Sequence, residues 1–120
     1  MKTNPTFLLI WALFCSSFIT VNSQAQSCLP GGITFTTQAQ INNFAVNYPG
    51  CTEILGLVVI NDAVNGNITS LTGLMQLVKV GGLHIINNPA LINLSGLNSL
   101  DSIKGNFYIS NNTSLSNITA

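Results

Sequence analysis

The chain has 120 residues, of which three are Lys, three are Asp or Glu and one is His, so 5% is charged against about 25% in ordinary globular domains. This shortage excludes most acid–base and metal chemistry, and with no Arg and only Lys79 and Lys104 beyond Lys2 there is no basic surface to neutralise the phosphates of a nucleic acid. Hydrophobic residues make up 47% of the chain, and 16 Asn, 11 Ser, 11 Thr and 10 Gly supply most of the polar remainder, which excludes disorder by charge excess and leaves room for one small domain.

Residues 1–25 combine Lys2, an uncharged apolar run from Phe7 to Val21, and small Ser23 and Ala25 around Gln24. This is the pattern of a secretory signal peptide, so the mature chain is expected outside the cell or on its surface. The 15-residue run includes Ser16, Ser17 and Thr20 and falls short of the roughly 20 apolar residues that span a bilayer, so the mature chain is expected to lack a spanning segment. Cys15 departs with the signal. Cys28 and Cys51 then form an even pair in an oxidising compartment, and a disulfide between them is expected. With one His and no further Cys, neither zinc nor any other metal or cofactor is expected.

Residues 26–53 read as an N-terminal cap. Thr37 followed by Gln40 is a capping box, and Ile41, Phe44, Ala45 and Tyr48 recur on one helical face until Pro49-Gly50 stops it. The spacing predicts a short helix over about 37–48, flanked by the two cysteines, with its apolar face lying on the chain that begins near Ile54.

From residue 54 to 120 the sequence becomes periodic. Leu83-His84-Ile85-Ile86-Asn87-Asn88 and Phe107-Tyr108-Ile109-Ser110-Asn111-Asn112 align at 24 residues, and Leu57-Val58-Val59-Ile60-Asn61-Asp62 precedes the second copy by 26. Ile68, Leu71, Gly73, Leu74, Leu77 and Val80 precede Leu91, Leu94, Gly96, Leu97, Leu100 and Ile103 by 23, so the first copy holds three extra residues near 63–67. Such periods indicate stacked repeats, about two and a half of them here. Within a copy, alternating positions such as Leu83 and Ile85 predict a strand with one buried face, whereas the following leucines recur every third residue. A spacing of three drifts by about 60° per step on an α-helix, so five such residues cannot share one helical stripe. They fit a coil that keeps turning inward. One coil buries about seven aliphatic side chains at roughly 1.5–3 kcal/mol each, while ordering its backbone costs about 1–2 kcal/mol per residue. Coils must therefore stack to be stable.

The run from Leu83 to Ile103, a strand, Asn-Asn and then Leu-x-x-Leu-x-Gly-Leu-x-x-Leu-x-x-Ile, resembles the receptor L domain, a leucine-rich-repeat-like right-handed β-helix of growth-factor-type receptors and fungal cell-wall proteins. The opening block Cys28 to Ile41 is similar to that of secreted bacterial surface proteins carrying such repeats. The resemblance implies a mainly β, right-handed parallel β-solenoid with a disulfide-tied cap helix, used as an extracellular interaction module. It also implies further repeats and a C-terminal sorting domain for type IX secretion, so the chain is expected to be an N-terminal fragment.

Placing Leu83, Ile85, Phe107 and Ile109 inward predicts an outward face made of Val58, Ile60, His84, Ile86, Tyr108 and Ser110, with Val58, His84 and Tyr108 in one column. Exposed aromatic and aliphatic side chains on a scaffold mark contact, so these six are the candidate ligand-binding residues. Asn61, Asn87, Asn88, Asn111 and Asn112 read as structural turn residues, because asparagine satisfies turn backbone groups and tolerates left-handed conformations. Calcium would need clustered carboxylates, and Asp62 and Asp101 form no cluster in sequence. His84 lacks an orienting carboxylate and a nucleophile near it in sequence, and no catalytic residue is assigned. The sequons at Asn67, Asn93, Asn111, Asn112 and Asn117 are expected to carry glycans only in a eukaryotic secretory host. The expected function is adhesion or binding of an extracellular protein or glycan without catalysis; the alternative is a carbohydrate-binding or spacer region of a larger secreted enzyme.

Overall fold

Segments rich in Val, Ile and Leu build one six-stranded parallel sheet in the computed structural model, which describes residues 26–119. The signal-peptide reading of residues 1–25 lies outside the described residues. Strands β1 (Gln26–Cys28) and β2 (Ile33–Phe35) precede two short helices, α1 (Gln38–Asn42) and α2 (Phe44–Asn47). Next come β3 (Cys51–Asn61), β4 (Lys79–Ile86), β5 (Ser102–Ile103) and β6 (Phe107–Ser110). The long strand β3 receives β1 and β2 on one side and β4 on the other, and β4 in turn receives β5 and β6. A mainly β chain with a parallel sheet agrees with the expectation. Among the described residues no helix is long and apolar enough to cross a membrane.

The capping box forms as its residues predict. The Thr37 hydroxyl accepts from the Gln40 backbone N–H, and the Gln40 side chain accepts from Thr37 N–H. The helix, however, is interrupted at Asn43, whose ψ of 2° leaves helical geometry. Ile41 and Phe44 are buried and Tyr48 packs on the core against the Phe44 ring, but Ala45, past the break, is exposed. Gln38 fixes α1 to the neighbouring chain by accepting from Thr69 and Ser70 N–H and donating to Ser70 O. The expected disulfide joins Cys28 to Cys51 with their Cα atoms 5.8 Å apart, tying β1 to the start of β3.

The period-three residues pack into the core without forming an α-helix. Ile68, Leu71, Leu74, Leu77 and Val80 are all buried, with a single 3₁₀ turn at Thr72–Leu74, and Leu91, Leu94 and Leu97 repeat the arrangement. Glycines mark where the chain crowds its neighbour. A Cβ on Gly81 would stand 2.1 Å from the Leu55 carbonyl oxygen, a contact only glycine avoids.

Asparagines bind one strand turn to the next in two ladders. In the outer one, Asn111 Nδ2 donates to Asn87 Oδ1 at 3.1 Å and Asn87 Nδ2 to Asn61 Oδ1 at 3.4 Å. Asn87 and Asn111 adopt φ of 57° and 56°, the left-handed region that asparagine tolerates. In the inner ladder, Asn88 is fully buried; its Nδ2 donates to Ile60 O and Ile86 O and its Oδ1 accepts from Asp62 N–H. Asn88 N–H donates to Asn112 Oδ1 in the same sense. Asp62 occupies the first rung. Its Oδ2 accepts from Asn67 and Ile68 N–H, clamping the three-residue insertion, while its Oδ1 has no partner among the described residues.

The register of β3 on β4 corrects the expected face. Ile54 pairs with Val80, 26 residues on, but Leu57, Val58, Val59 and Ile60 pair with Gly82, Leu83, His84 and Ile85, only 25 on. Three steps on β3 oppose two on β4, so β3 bulges between Ile54 and Leu57. A one-residue slip moves every side chain to the opposite face. Val58 and Ile60, expected outward, are therefore core residues at 1% and 0% exposure, and Leu57 and Val59 take the outward positions.

Candidate binding surface

The outward face is set by this register. Parallel pairing places Thr34 of β2, Val59 of β3, His84 of β4 and Tyr108 of β6 side by side. A second row runs Asn61, Ile86, Ser110. The inward rows are Ile33, Val58, Leu83, Phe107 and Phe35, Ile60, Ile85, Ile109. Of the six candidates, His84, Ile86, Tyr108 and Ser110 share the outward face, and Val58 and Ile60 do not. Val59 replaces Val58 in the column.

At the β6 end this face is aromatic. The Tyr108 and His84 rings meet edge to face at 5.7 Å between centroids, 63° apart, a favoured aromatic geometry. Tyr108 is 54% exposed. Phe107, although on an inward row, is 52% exposed, since β6 has β4 on one side and no described strand on the other. His84, Ile86, Asn106, Phe107 and Tyr108 line a shallow depression of about 410 Å³. Asn106 joins through its position at the turn before β6, where its backbone carbonyl accepts from Leu83 N–H at 2.9 Å. Its side chain makes no hydrogen bond to another described residue, and neither does the Tyr108 hydroxyl. Neither Asn106 nor Phe107 is among the six candidates: alternation assigns Phe107 to the core and carries no signal for Asn106, which precedes the strand.

The charged residues lie elsewhere. Lys104 Nζ sits 3.1 Å from Glu53 Oε1, with Lys79 in register beside Glu53. The hydrogen bond from Lys104 holds the Glu53 carboxyl below its usual range, with the charge of Lys104 and a bond from Ser27 acting in the same direction. Asp62 is buried in its turn. Among the described residues no three His, Cys, Asp or Glu side chains gather as a metal cluster. The face can therefore engage a ligand through aromatic and aliphatic contact and uncharged hydrogen-bonding groups. No family model and no curated protein sequence matches the chain.

Proposed function

We propose that the chain is a secreted or cell-surface, non-catalytic module that binds an extracellular protein or glycan through the outer face of β2, β3, β4 and β6. The observation that carries this reading is the outward row Thr34, Val59, His84, Tyr108, which ends in an aromatic pair, half-buried His84 and exposed Tyr108, on a sheet whose opposite face is core. The Cys28–Cys51 disulfide supports an oxidising compartment.

The same proposal takes the chain as a right-handed β-solenoid of the receptor L-domain kind. Support comes from parallel pairings at offsets of 24 to 26 residues, inward-turning leucines between them, and asparagine ladders that repeat at the same interval. Right-handedness accords with the strong rule for parallel crossovers.

Binding of the full chain to cells and extracellular matrix tests the functional reading. Tyr108→Ala and His84→Ala should each weaken it at least tenfold with the far-ultraviolet circular dichroism preserved. Unchanged binding by both folded variants would refute it.

A further inference from the structure

We infer that the depression formed by His84, Ile86, Asn106, Phe107 and Tyr108 is a subsite for a neutral saccharide. The inference rests on the binding-module reading and names its ligand class. Three features of the site lead to it.

The first is charge. No Lys, Asp or Glu lines the depression, and of the five charged residues in 26–119, three form the Glu53 corner and one, Asp62, is buried. A sulfated, phosphorylated or carboxylated ligand would lose hydration with no permanently charged side chain to meet it.

The second is the aromatic platform. Tyr108 and His84 are set side by side by strand register and lean on each other. Rings anchored in a sheet bring a large apolar surface with little rotamer entropy left to lose. A pyranose presents just such a partner, a face of C–H groups that lies flat on an aromatic ring.

The third is the rim. Asn106 and Tyr108 line the depression, and the Asn106 amide and the Tyr108 hydroxyl have no hydrogen-bond partner among the described residues, so both are available to the hydroxyls that ring the edge of a sugar. The volume of about 410 Å³ falls in the range of small-ligand sites, and its few lining residues are far short of the roughly 20–30 a side of a standard protein interface.

The full chain, applied to an array of neutral and anionic glycans, should bind neutral oligosaccharides only. Tyr108→Ala and Asn106→Ala should each reduce that binding at least tenfold, whereas Tyr108→Phe, which keeps the ring, should reduce it less. Amide shifts on titrating the bound oligosaccharide into labelled protein should centre on residues 84 and 106–108. Binding to anionic glycans alone, or to none while attachment to cells still depends on Tyr108, overturns the saccharide inference and leaves the module reading standing. Loss of neither array nor cell binding in folded Tyr108→Ala overturns both.

Discussion

Asn88 is the residue on which the inner ladder depends, and replacing it gives a measurable test. Its side chain links Asp62 N–H at 3.1 Å, Ile60 O and Ile86 O at 3.0 Å each, and Asn112 Oδ1 at 2.9 Å, all with no exposure to water. Asn88→Ala orphans the Asp62 donor outright and strips one partner from each carbonyl. At about 1–3 kcal/mol for a buried group left unsatisfied, with the carbonyls costing less than the N–H, the loss should be about 2–5 kcal/mol. That is a large share of a total on the order of 5–15 kcal/mol. Asn88→Asp keeps the shape but turns the Nδ2 donor into an acceptor facing three oxygens, so at pH 7 it should destabilise at least as much as Asn88→Ala. Its carboxyl, held protonated more readily in the folded chain than in the unfolded one, should regain stability as pH falls. Urea titration followed by circular dichroism reads both effects. With a slope of about 1–3 kcal/mol per molar, a 3 kcal/mol loss moves the midpoint by about 1 M or more. An Asn88→Ala midpoint within error of the parent at unchanged slope, or an Asn88→Asp protein more stable than Asn88→Ala at pH 7, would refute the ladder argument.

Gly81→Ala places a methyl 2.1 Å from the Leu55 carbonyl and should cost at least about 1–3 kcal/mol by forcing neighbouring strands apart, seen as a lower urea midpoint. Reducing Cys28–Cys51, or replacing both by Ser, should remove about 3–3.5 kcal/mol in the chain-entropy model for the 23-residue separation, measured by the same titration with and without reductant. Because Lys104 depresses the Glu53 carboxyl in the folded state, its contribution is present above the unfolded value of about 4.3 and is lost as pH falls through the lower folded value. Thermal scans across that window should show a small drop that Lys104→Met abolishes, and a drop of equal size in the variant would count against the pairing. On the outward face Val59→Asp should cost about 1 kcal/mol, the span of strand preference, whereas Val58→Asp should unfold the chain at room temperature. Equal effects at the two positions would contradict the register.

Much of this architecture is legible in the sequence because it rests on short-range periodicity. The third-residue apolar positions from Ile68 to Val80 cannot share a helical stripe, and they lie in the core along the segment that leads from β3 into β4. Thr37 and Gln40 mark a helix start through two local hydrogen bonds. The outward face was legible on β4 and β6, where His84 and Tyr108 alternate with core residues, but not on β3. There, matching Leu57 to Leu83 keeps Asn61-Asp62 over Asn87-Asn88, which is the phase the side-chain ladders obey: Asn87 reaches Asn61 and Asn88 reaches Asp62. The backbone between runs one residue short of that phase. It takes up a residue at the bulge before Leu57 and returns it at Asn87, the left-handed residue that has no left-handed counterpart at Asn61. Motif identity thus conceals a local slip, and a slip of one residue exchanges surface for core. The helix break at Asn43 escapes notice for a related reason, since apolar spacing alone carries through it.

The asparagine ladders also decide which surroundings the molecule can tolerate. Beyond the buried carboxylate of Asp62 at the first rung, the ladders run through amides and carbonyls that neither titrate nor attract counter-ions, and among the described residues one ion pair stands outside that arrangement. Salt screens charges but leaves buried amide bonds largely untouched. Concentrated brine and dilute buffer should therefore find the ladders about equally firm.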